Sequence, residues 1–224
     1  MKAHCDRLPA PEGLLVSGAL ALGFEISPDQ LGAFRIYREE IARWSARMSL
    51  TALRRPEDII RGGFLDSLAC LTLVPRKAKR VVDIGSGAGF PAIPLKLARP
   101  DLSFTLVEAS RKRTTFLLHV IRRLRLSDVR VIQGRAEVVS QDPQEAGAYD
   151  LALARAAAPP PDQARLARPF LRAEGRFLLQ TAGSLDEAMR ERLCGLGFTL
   201  VREISLAASL GRPGCRVLAL RRLG

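Results

Sequence analysis

The chain opens with helical periodicity. Ser27-Pro28-Asp29-Gln30 offers an N-cap serine, a proline at the first helical position and a glutamine at the third, which predicts a capped helix start. Apolar residues then recur every three or four positions and predict one buried helix face: Leu31, Phe34, Tyr37, Ile41, Trp44 and Met48. A second helix is predicted from Pro56-Glu57-Asp58, whose acids suit a first helical turn, until Pro75 breaks it.

Beyond residue 80 the pattern changes to short apolar runs, which predict seven strands: Val81–Ile84, Phe104–Val107, Val129–Ile132, Leu151–Ala154, Phe177–Leu179, Thr199–Val201 and Val217–Leu220. Helical patterns separate the first five runs, which predicts βαβ units and a parallel sheet covered on both faces. The last two runs flank a turn-rich connection, residues 210–214, and predict an antiparallel hairpin at one edge. We therefore expect an α/β fold with a doubly wound, mostly parallel seven-stranded sheet over residues 76–224. A helical extension is expected over residues 1–75.

The most unusual stretch is VVDIGSGAGFPAIPL, residues 81–95, where glycines alternate directly after a predicted strand. In open parallel sheets, ligands bind beyond the carboxyl ends of the strands. Gly85, Gly87 and Gly89 would let a ligand lie directly on the backbone. Pro91 and Pro94 suit the first turn of the next helix, where amide hydrogens have no partner to lose. A tight turn without a ligand is the alternative.

The loop also restricts the kind of ligand. The dinucleotide fingerprint G-x-G-x-x-G would need glycine at Phe90, and no GKS or GKT completes a P-loop. Asp83 would repel a pyrophosphate, whereas Glu108, at the end of the second strand, could accept the hydroxyls of an adenosine ribose. S-adenosylmethionine is a cationic adenosine compound without phosphate. The pattern therefore favours methyl transfer over hydride transfer.

Composition indicates the class of partner. The formal net charge of +12 predicts affinity for polyanions, although a GC-rich genome would also raise the arginine content. No apolar run reaches the roughly 20 residues that cross a bilayer. We interpret Leu14–Phe24 as a short buried helix rather than a signal peptide, because Asp6 and Glu12 interrupt its basic flank. The isolated cysteines form no metal-binding pair and favour a reducing, cytoplasmic setting.

Longer motifs carry a family resemblance. The segment VVDIGSGAGFPAIPLKLARPDLSFTLVEASRKRTTFL, followed by VIQGRAE and DLALARA, resembles the bacterial ribosomal RNA small-subunit methyltransferase G family, once called glucose-inhibited division protein B. Upstream, WSARMSLTAL and FLDSL resemble the W-N-x-x-x-N-L-T and I-L-D-S-L segments of the family. The resemblance implies a cytoplasmic enzyme of the Rossmann-like class I methyltransferase fold. It implies methyl transfer from S-adenosylmethionine to N7 of one guanine in 16S ribosomal RNA, with S-adenosylhomocysteine as the product.

The loop chemistry and the resemblance together give the expected cofactor contacts: Asp83, Gly85, Ser86, Gly87, Gly89, Phe90, Glu108, Ala109, Ala136, Glu137 and Arg155. By resemblance, Glu137 accepts from the adenine amino group, and Arg135 and Arg155 lie at the cleft mouth as positioning candidates. Glu137 could instead be an ordinary exposed acid at a helix start, and either arginine a surface charge. Guanine N7 carries no hydrogen, so no catalytic base is expected.

RNA contacts are expected from basic residues around the helix after the second strand: Arg111, Lys112, Arg113, Arg122, Arg123 and Arg135. Cations at a helix start oppose its dipole, so the three that follow a predicted Ser110 cap indicate function. An ordinary solvated helix face is the alternative. Arg125 and Arg130 are expected to extend this basic surface.

Three positions depart from the family pattern. Gly63 stands where a histidine usually precedes I-L-D-S, Gln180 where a lysine commonly follows the fifth strand, and Ser49 where N-L-T has its asparagine. They leave the details of RNA docking open. A methyltransferase acting on a small molecule or a protein, or a non-catalytic RNA-binding relative, remains an alternative. We expect a monomer whose partner is 16S ribosomal RNA or the small ribosomal subunit, with no metal and no membrane.

Overall fold

The structure is a computed structural model that describes residues 10–155, 158–182, 185–206 and 214–224. Helix α1, Ala10–Ala21, covers most of the apolar stretch that the sequence predicted to be helical. Helix α2, Pro28–Ser45, begins at the predicted capping box. The Ser27 side chain accepts from the Gln30 amide at 3.2 Å, and the Gln30 side chain accepts from the Ser27 amide at 2.9 Å. The predicted apolar stripe of α2 turns inward, with Phe34, Tyr37 and Ile41 fully buried.

The predicted second helix is a continuous helical segment of changing pitch. It consists of α3 (Pro56–Ile59), a π-helical turn (Ile60–Leu65), α4 (Asp66–Leu68) and a 3-10 turn (Ala69–Leu73). It begins at the predicted proline and ends before Pro75. The π-helical turn contains the consecutive glycines Gly62 and Gly63, and π-turns of this kind frequently lie at functional sites.

The sheet has seven strands, and each contains one predicted apolar run. In chain order they are β1 (Arg80–Ile84), β2 (Ser103–Glu108), β3 (Val129–Gln133), β4 (Tyr149–Arg155), β5 (Leu171–Ala182), β6 (Phe198–Ser205) and β7 (Cys215–Arg222). Their spatial order is β3-β2-β1-β4-β5-β7-β6. The first five are parallel, and β7 runs antiparallel to both β5 and β6. The predicted edge hairpin is confirmed, while its connection, residues 207–213, lies outside the described residues.

Helices cover both faces of this sheet, as a doubly wound fold requires. The helices of the second part are α5 (Ala92–Ala98), α6 (Arg111–Arg123), α7 (Ala136–Val139), α8 (Pro160–Ala167) and α9 (Glu187–Gly195). One core joins the N-terminal helices to α5, α6 and one sheet face, and a second core joins α7, α8 and α9 to the other face. The boundary between residues 75 and 76 stays a prediction, because one core contains residues from both sides of it. In the described part of the chain, no helix is long and apolar enough to cross a membrane.

Candidate cofactor and RNA site

The glycine loop between β1 and α5 has the backbone that the sequence predicted. Gly85, Gly87 and Gly89 have φ values of +70°, +58° and +92°. Residues that have a side chain rarely adopt this left-handed region. The Gly85 amide donates to the Val107 carbonyl at 2.8 Å, which ties the loop to the end of β2. A Cβ atom built on Gly85 meets no atom within 4 Å, so this part of the loop faces open space. The backbone of the loop is therefore available to a ligand.

The far side of the loop is held by α2. The Tyr37 hydroxyl donates to the Ala88 carbonyl at 2.6 Å, and the side chain of Tyr37 is fully buried. A Cβ atom on Gly89 would lie 2.5 Å from Cδ1 of Ile93 and 2.7 Å from the Tyr37 hydroxyl oxygen. Burial, with a smaller effect from the charge of Asp83, raises the pKa of Tyr37 well above its ordinary value, so its hydroxyl keeps its proton. The sequence pattern placed Tyr37 on the apolar stripe but gave no sign of this contact.

Asp83 lies beneath the loop rather than on its surface. Its side chain is fully buried, and neither carboxylate oxygen accepts a hydrogen bond of ordinary geometry from the described residues. Burial raises the pKa of Asp83 to about 8, and the charge of Glu108 adds to the rise, whereas nearby Ser86, the Ala92 amide and Arg155 oppose it. A nearby cation stabilises a buried carboxylate, so the Asp83 carboxyl group beneath the loop fits a positively charged ligand. Cofactor contact by Asp83 and Ser86 stays a prediction.

Glu108 ends β2 and accepts two backbone hydrogen bonds. Its Oε2 accepts from the Gly87 amide at 2.8 Å, and its Oε1 accepts from the Ser110 amide at 2.8 Å. These bonds join the glycine loop to the start of α6, where the predicted Ser110 cap accepts from the Arg113 amide at 3.5 Å. Each carboxylate oxygen has a second lone pair, so Glu108 retains acceptor capacity for a ribose. Ala109, next in the chain, is exposed.

Phe90 and Arg155 connect the loop to the π-helical turn. The Arg155 guanidinium carbon lies 5.3 Å from the centroid of the Phe90 ring, and its Nη1 donates to the Gly62 carbonyl at 2.5 Å. A Cβ atom on Gly63 would lie 2.6 Å from Cζ of Phe90, so this glycine allows the ring to pack against the turn. Arg155 is thus more than a surface charge, because it joins the end of β4 to two other segments at the predicted cleft.

The departures at Gly63 and Gln180 meet at one buried segment, because Gly63 belongs to the π-helical turn and Gln180 of β5 contacts the residue that follows that turn. Gln180 is 1% exposed, and its side-chain amide donates to the Asp66 carbonyl. The Ser67 hydroxyl donates to the Gly63 carbonyl at 2.5 Å. Gly63 and Gln180 are both buried, so neither lies on the surface that RNA would contact. Ser49, the third departure, is exposed.

The end of β3 reaches the same edge of the sheet. The Gly134 amide donates to the Glu108 carbonyl at 3.0 Å, which brings the β3–α7 connection beside the end of β2. Glu137 is in the first turn of α7 and is exposed, as is Arg135, while Ala136 is half-buried. The positions fit the predicted adenine contacts of Ala136 and Glu137, which stay predictions.

Five of the six predicted RNA-binding residues lie on α6, in two groups. Arg111, Lys112 and Arg113 open α6 beside Glu108, whereas Arg122 and Arg123 close it, about 18 Å away at 1.5 Å per residue. The two groups therefore do not form one cluster at the cleft mouth. Arg130 donates to Glu145, Tyr149 and Thr105, but its side chain is still 49% exposed, so its expected place in the basic surface stays a prediction.

Comparison with known sequences bears on the predicted family. The model of the family described as rRNA small subunit methyltransferase G (GidB) matches residues 30–195. A protein of Chloroflexus aggregans named Ribosomal RNA small subunit methyltransferase G is 42% identical over 167 residues, which are 75% of this chain and 70% of that protein. A protein of the same name from Roseiflexus castenholzii is 39% identical over 176 residues, which are 78% of this chain and 75% of that protein.

Solved structures share the fold at low sequence identity. Ribosomal protein L11 methylase from Lactobacillus delbrueckii subsp. bulgaricus has a TM-score of 0.56 at 17% identity, covering 71% of this chain and 77% of that chain. TYW2 of M. jannaschii in complex with AdoMet has a TM-score of 0.55 at 14% identity, covering 80% of each chain. These likenesses confirm the predicted fold class and nothing finer. The sequence matches confirm the predicted resemblance, and the chain belongs to the rRNA small subunit methyltransferase G (GidB) family.

Proposed function

We propose that this chain transfers the methyl group of S-adenosylmethionine to N7 of a guanine in 16S ribosomal RNA. The observation that supports this function most directly is the glycine loop at the carboxyl end of β1. The backbone is open at the left-handed Gly85 and Gly87, and the buried carboxyl group of Asp83 lies beneath the loop. Membership in the family supplies the substrate class.

The residues at the loop divide the work of holding the cofactor. S-adenosylmethionine supplies a methyl group on a positively charged sulfur, so the S–C bond breaks as the N7–C bond forms and the sulfur becomes neutral. The loop backbone at Gly85 and Gly87 would contact it, Glu108 would accept from its ribose and Glu137 from its adenine. Asp83 is buried beneath the loop, where a bound cation would favour its charged form, and that charge would then offset the positive charge of the cofactor.

Catalysis in this proposal depends on placement rather than on a base. N7 of guanine has a lone pair and carries no hydrogen, so the chain has no proton to remove from the attacking atom. Holding reactants in line can supply roughly 7–11 kcal/mol of the barrier in favourable cases. Arg155, fixed by the Gly62 carbonyl and the Phe90 ring, is the best-placed side chain to orient the base. Arg135, the other positioning candidate, is exposed.

The RNA would approach across the start of α6. Arg111 and Lys112 are exposed beside the end of β2 and provide the charge that phosphates require. Duplex RNA hides N7 in a deep, narrow major groove, so an unpaired or splayed guanine suits the site. We also propose that the chain acts as a monomer in the cytoplasm, on the ribosomal RNA itself or on the small subunit.

The decisive experiment incubates the purified chain with radiolabelled S-adenosylmethionine and small ribosomal subunits from a strain that lacks this modification. We expect label in 7-methylguanosine after nuclease digestion of the RNA. Tyr149→Phe, a change in the network at the opposite end of the sheet, should retain transfer, whereas Gly85→Ala should lose it. Cofactor binding without label in any RNA nucleoside would favour a non-RNA substrate, and absence of cofactor binding would favour the non-catalytic relative.

A further inference from the structure

A second surface, away from the glycine loop, combines aromatic rings with basic side chains. The Trp44 ring of α2 packs on α6, with its centroid 5.5 Å from the Phe116 ring and 5.2 Å from the His119 ring. Phe116 is fully buried, whereas Trp44 and His119 are both half-buried. The outer side of this ring pair therefore reaches the protein surface.

Two guanidinium groups flank the rings. Arg43 Nη1 lies 3.5 Å and Arg123 Nε 3.9 Å from Glu40 Oε1, and their side chains are 63% and 58% exposed. Glu40 is nearly buried, and its other oxygen lies 2.9 Å from Nε2 of His119. One carboxylate thus faces two guanidiniums, which leaves a net charge of +1 even with His119 neutral. Both arginines are too far from the carboxylate for a tight bidentate pair, so most of their donors face solvent.

The position of this surface relates it to the cofactor loop. Helix α6 begins beside Glu108, whose side chain accepts from the Ser110 amide. On this helix, His119 and Arg123 lie eight and twelve residues after Arg111. At 1.5 Å per residue these positions lie about 12 and 18 Å along the helix. A polyanion that enters at the basic start of α6 would reach the ring pair by following the same helix.

We propose that Arg43, Trp44, His119 and Arg123 form a docking surface for an unpaired segment of the substrate RNA that flanks the target guanine. The inference rests on the proposed function, which supplies an RNA substrate. Single-stranded RNA matches the surface in two respects, because its phosphates pair with guanidiniums and its bases stack on exposed ring faces. The carboxylates of an acidic protein surface would match the charge but would not stack on the partly exposed rings.

The test compares Arg43→Gln/Arg123→Gln with Arg190→Gln/Arg192→Gln. The control arginines lie on α9 against the other core, are 41% and 55% exposed, and have carboxylates at the same 3.9 and 3.5 Å separations. Binding to unmethylated small subunits is measured across salt concentration, with S-adenosylhomocysteine binding in parallel. The first pair should weaken binding and lower the slope of log affinity against log salt by about 1.4, at ~0.7 for each phosphate contact with a single strand. The control pair should change neither.

Trp44→Leu and Trp44→Phe separate stacking from charge. Trp44→Leu should weaken particle binding with an unchanged salt slope, and Trp44→Phe should restore part of the affinity. Wild-type affinity and salt slope in Arg43→Gln/Arg123→Gln would overturn the docking surface while leaving the proposed function standing. A wild-type chain that neither binds nor methylates the particle would overturn both.

Discussion

The Tyr37 hydroxyl donates to the Ala88 carbonyl across 51 residues of sequence, and this bond joins the N-terminal helices to the glycine loop. We expect Tyr37→Phe to leave that buried carbonyl without its donor, at a cost of about 1–3 kcal/mol in the free energy of unfolding. Because the loop loses its support, affinity for S-adenosylhomocysteine should fall as well. Urea denaturation and calorimetric titration measure the two effects. Tyr149→Phe should lower stability without changing affinity, and equal affinity in both variants would contradict a role for Tyr37 in the loop.

Gly85 and Gly89 should respond differently to alanine. Both have left-handed backbones, which cost a side-chain-bearing residue about 1–2 kcal/mol. At Gly89 the new Cβ also overlaps Ile93 and Tyr37, so Gly89→Ala should lower the free energy of unfolding further, by about 1–3 kcal/mol. At Gly85 the Cβ enters open space, so Gly85→Ala should chiefly lower cofactor affinity. Gly32→Ala, within α2 and free of overlap, should leave stability unchanged or slightly higher.

The burial of Asp83 gives stability a dependence on pH with a defined sign. Its pKa is about 8 in the folded chain against 3.8 as an ordinary value, so the folded state holds a proton that the unfolded state has lost across this interval. The stability that this group contributes is complete below about pH 4 and is lost as the pH rises through about 8. Asp83→Asn should remove this decline, measured by urea unfolding between pH 5 and 8, which lie inside that window. It should also weaken cofactor binding by about tenfold, or ~1.4 kcal/mol. An unchanged pH profile in the variant would contradict the assignment.

Arg155→Lys keeps a positive charge but loses the planar group that spans the Gly62 carbonyl and the Phe90 ring. We expect a loss of about 1–3 kcal/mol in unfolding free energy and a lower rate of methyl transfer to the small subunit. Arg172→Lys, whose guanidinium pairs with Asp150 at 2.8 Å at the other end of the sheet, is the matched control. Equal transfer rates in the two variants would show that Arg155 only stabilises the fold.

Local signals in the sequence predicted most of the fold. The capping box at Ser27 and Gln30 lies within four residues, and the bond pair that it predicts is formed. The runs of the central strands were recognisable because a strand buried on both faces is apolar throughout. Strand β5 begins six residues before the predicted Phe177. Its first half was missed because Arg172, Ala173 and Glu174 are exposed there and the two charged residues interrupt the apolar pattern.

Contacts between distant segments could not be read from the sequence. The pattern on α6 gave His119 no partner, since Glu40 lies 79 residues earlier. Gln180 was recognised only as a departure from the family pattern, and nothing near it in the sequence indicated that its side chain donates to the Asp66 carbonyl. The glycine loop was the exception, because glycine reports an unusual backbone at its own position. The part of the site made by the loop was therefore predictable, and the side chains that hold the loop were not.

The bonds that hold the N-terminal helices have a consequence for how the chain matures. Their partners lie far downstream: Ala88 for Tyr37, Arg155 for Gly62 and Gln180 for Asp66. A ribosome synthesises the N-terminal helices before these partners, so the apolar faces of the helices cannot be buried until the later segments are made. The N-terminal helices are thus made before the segments that bury them, and their native contacts form only after β5 has been synthesised.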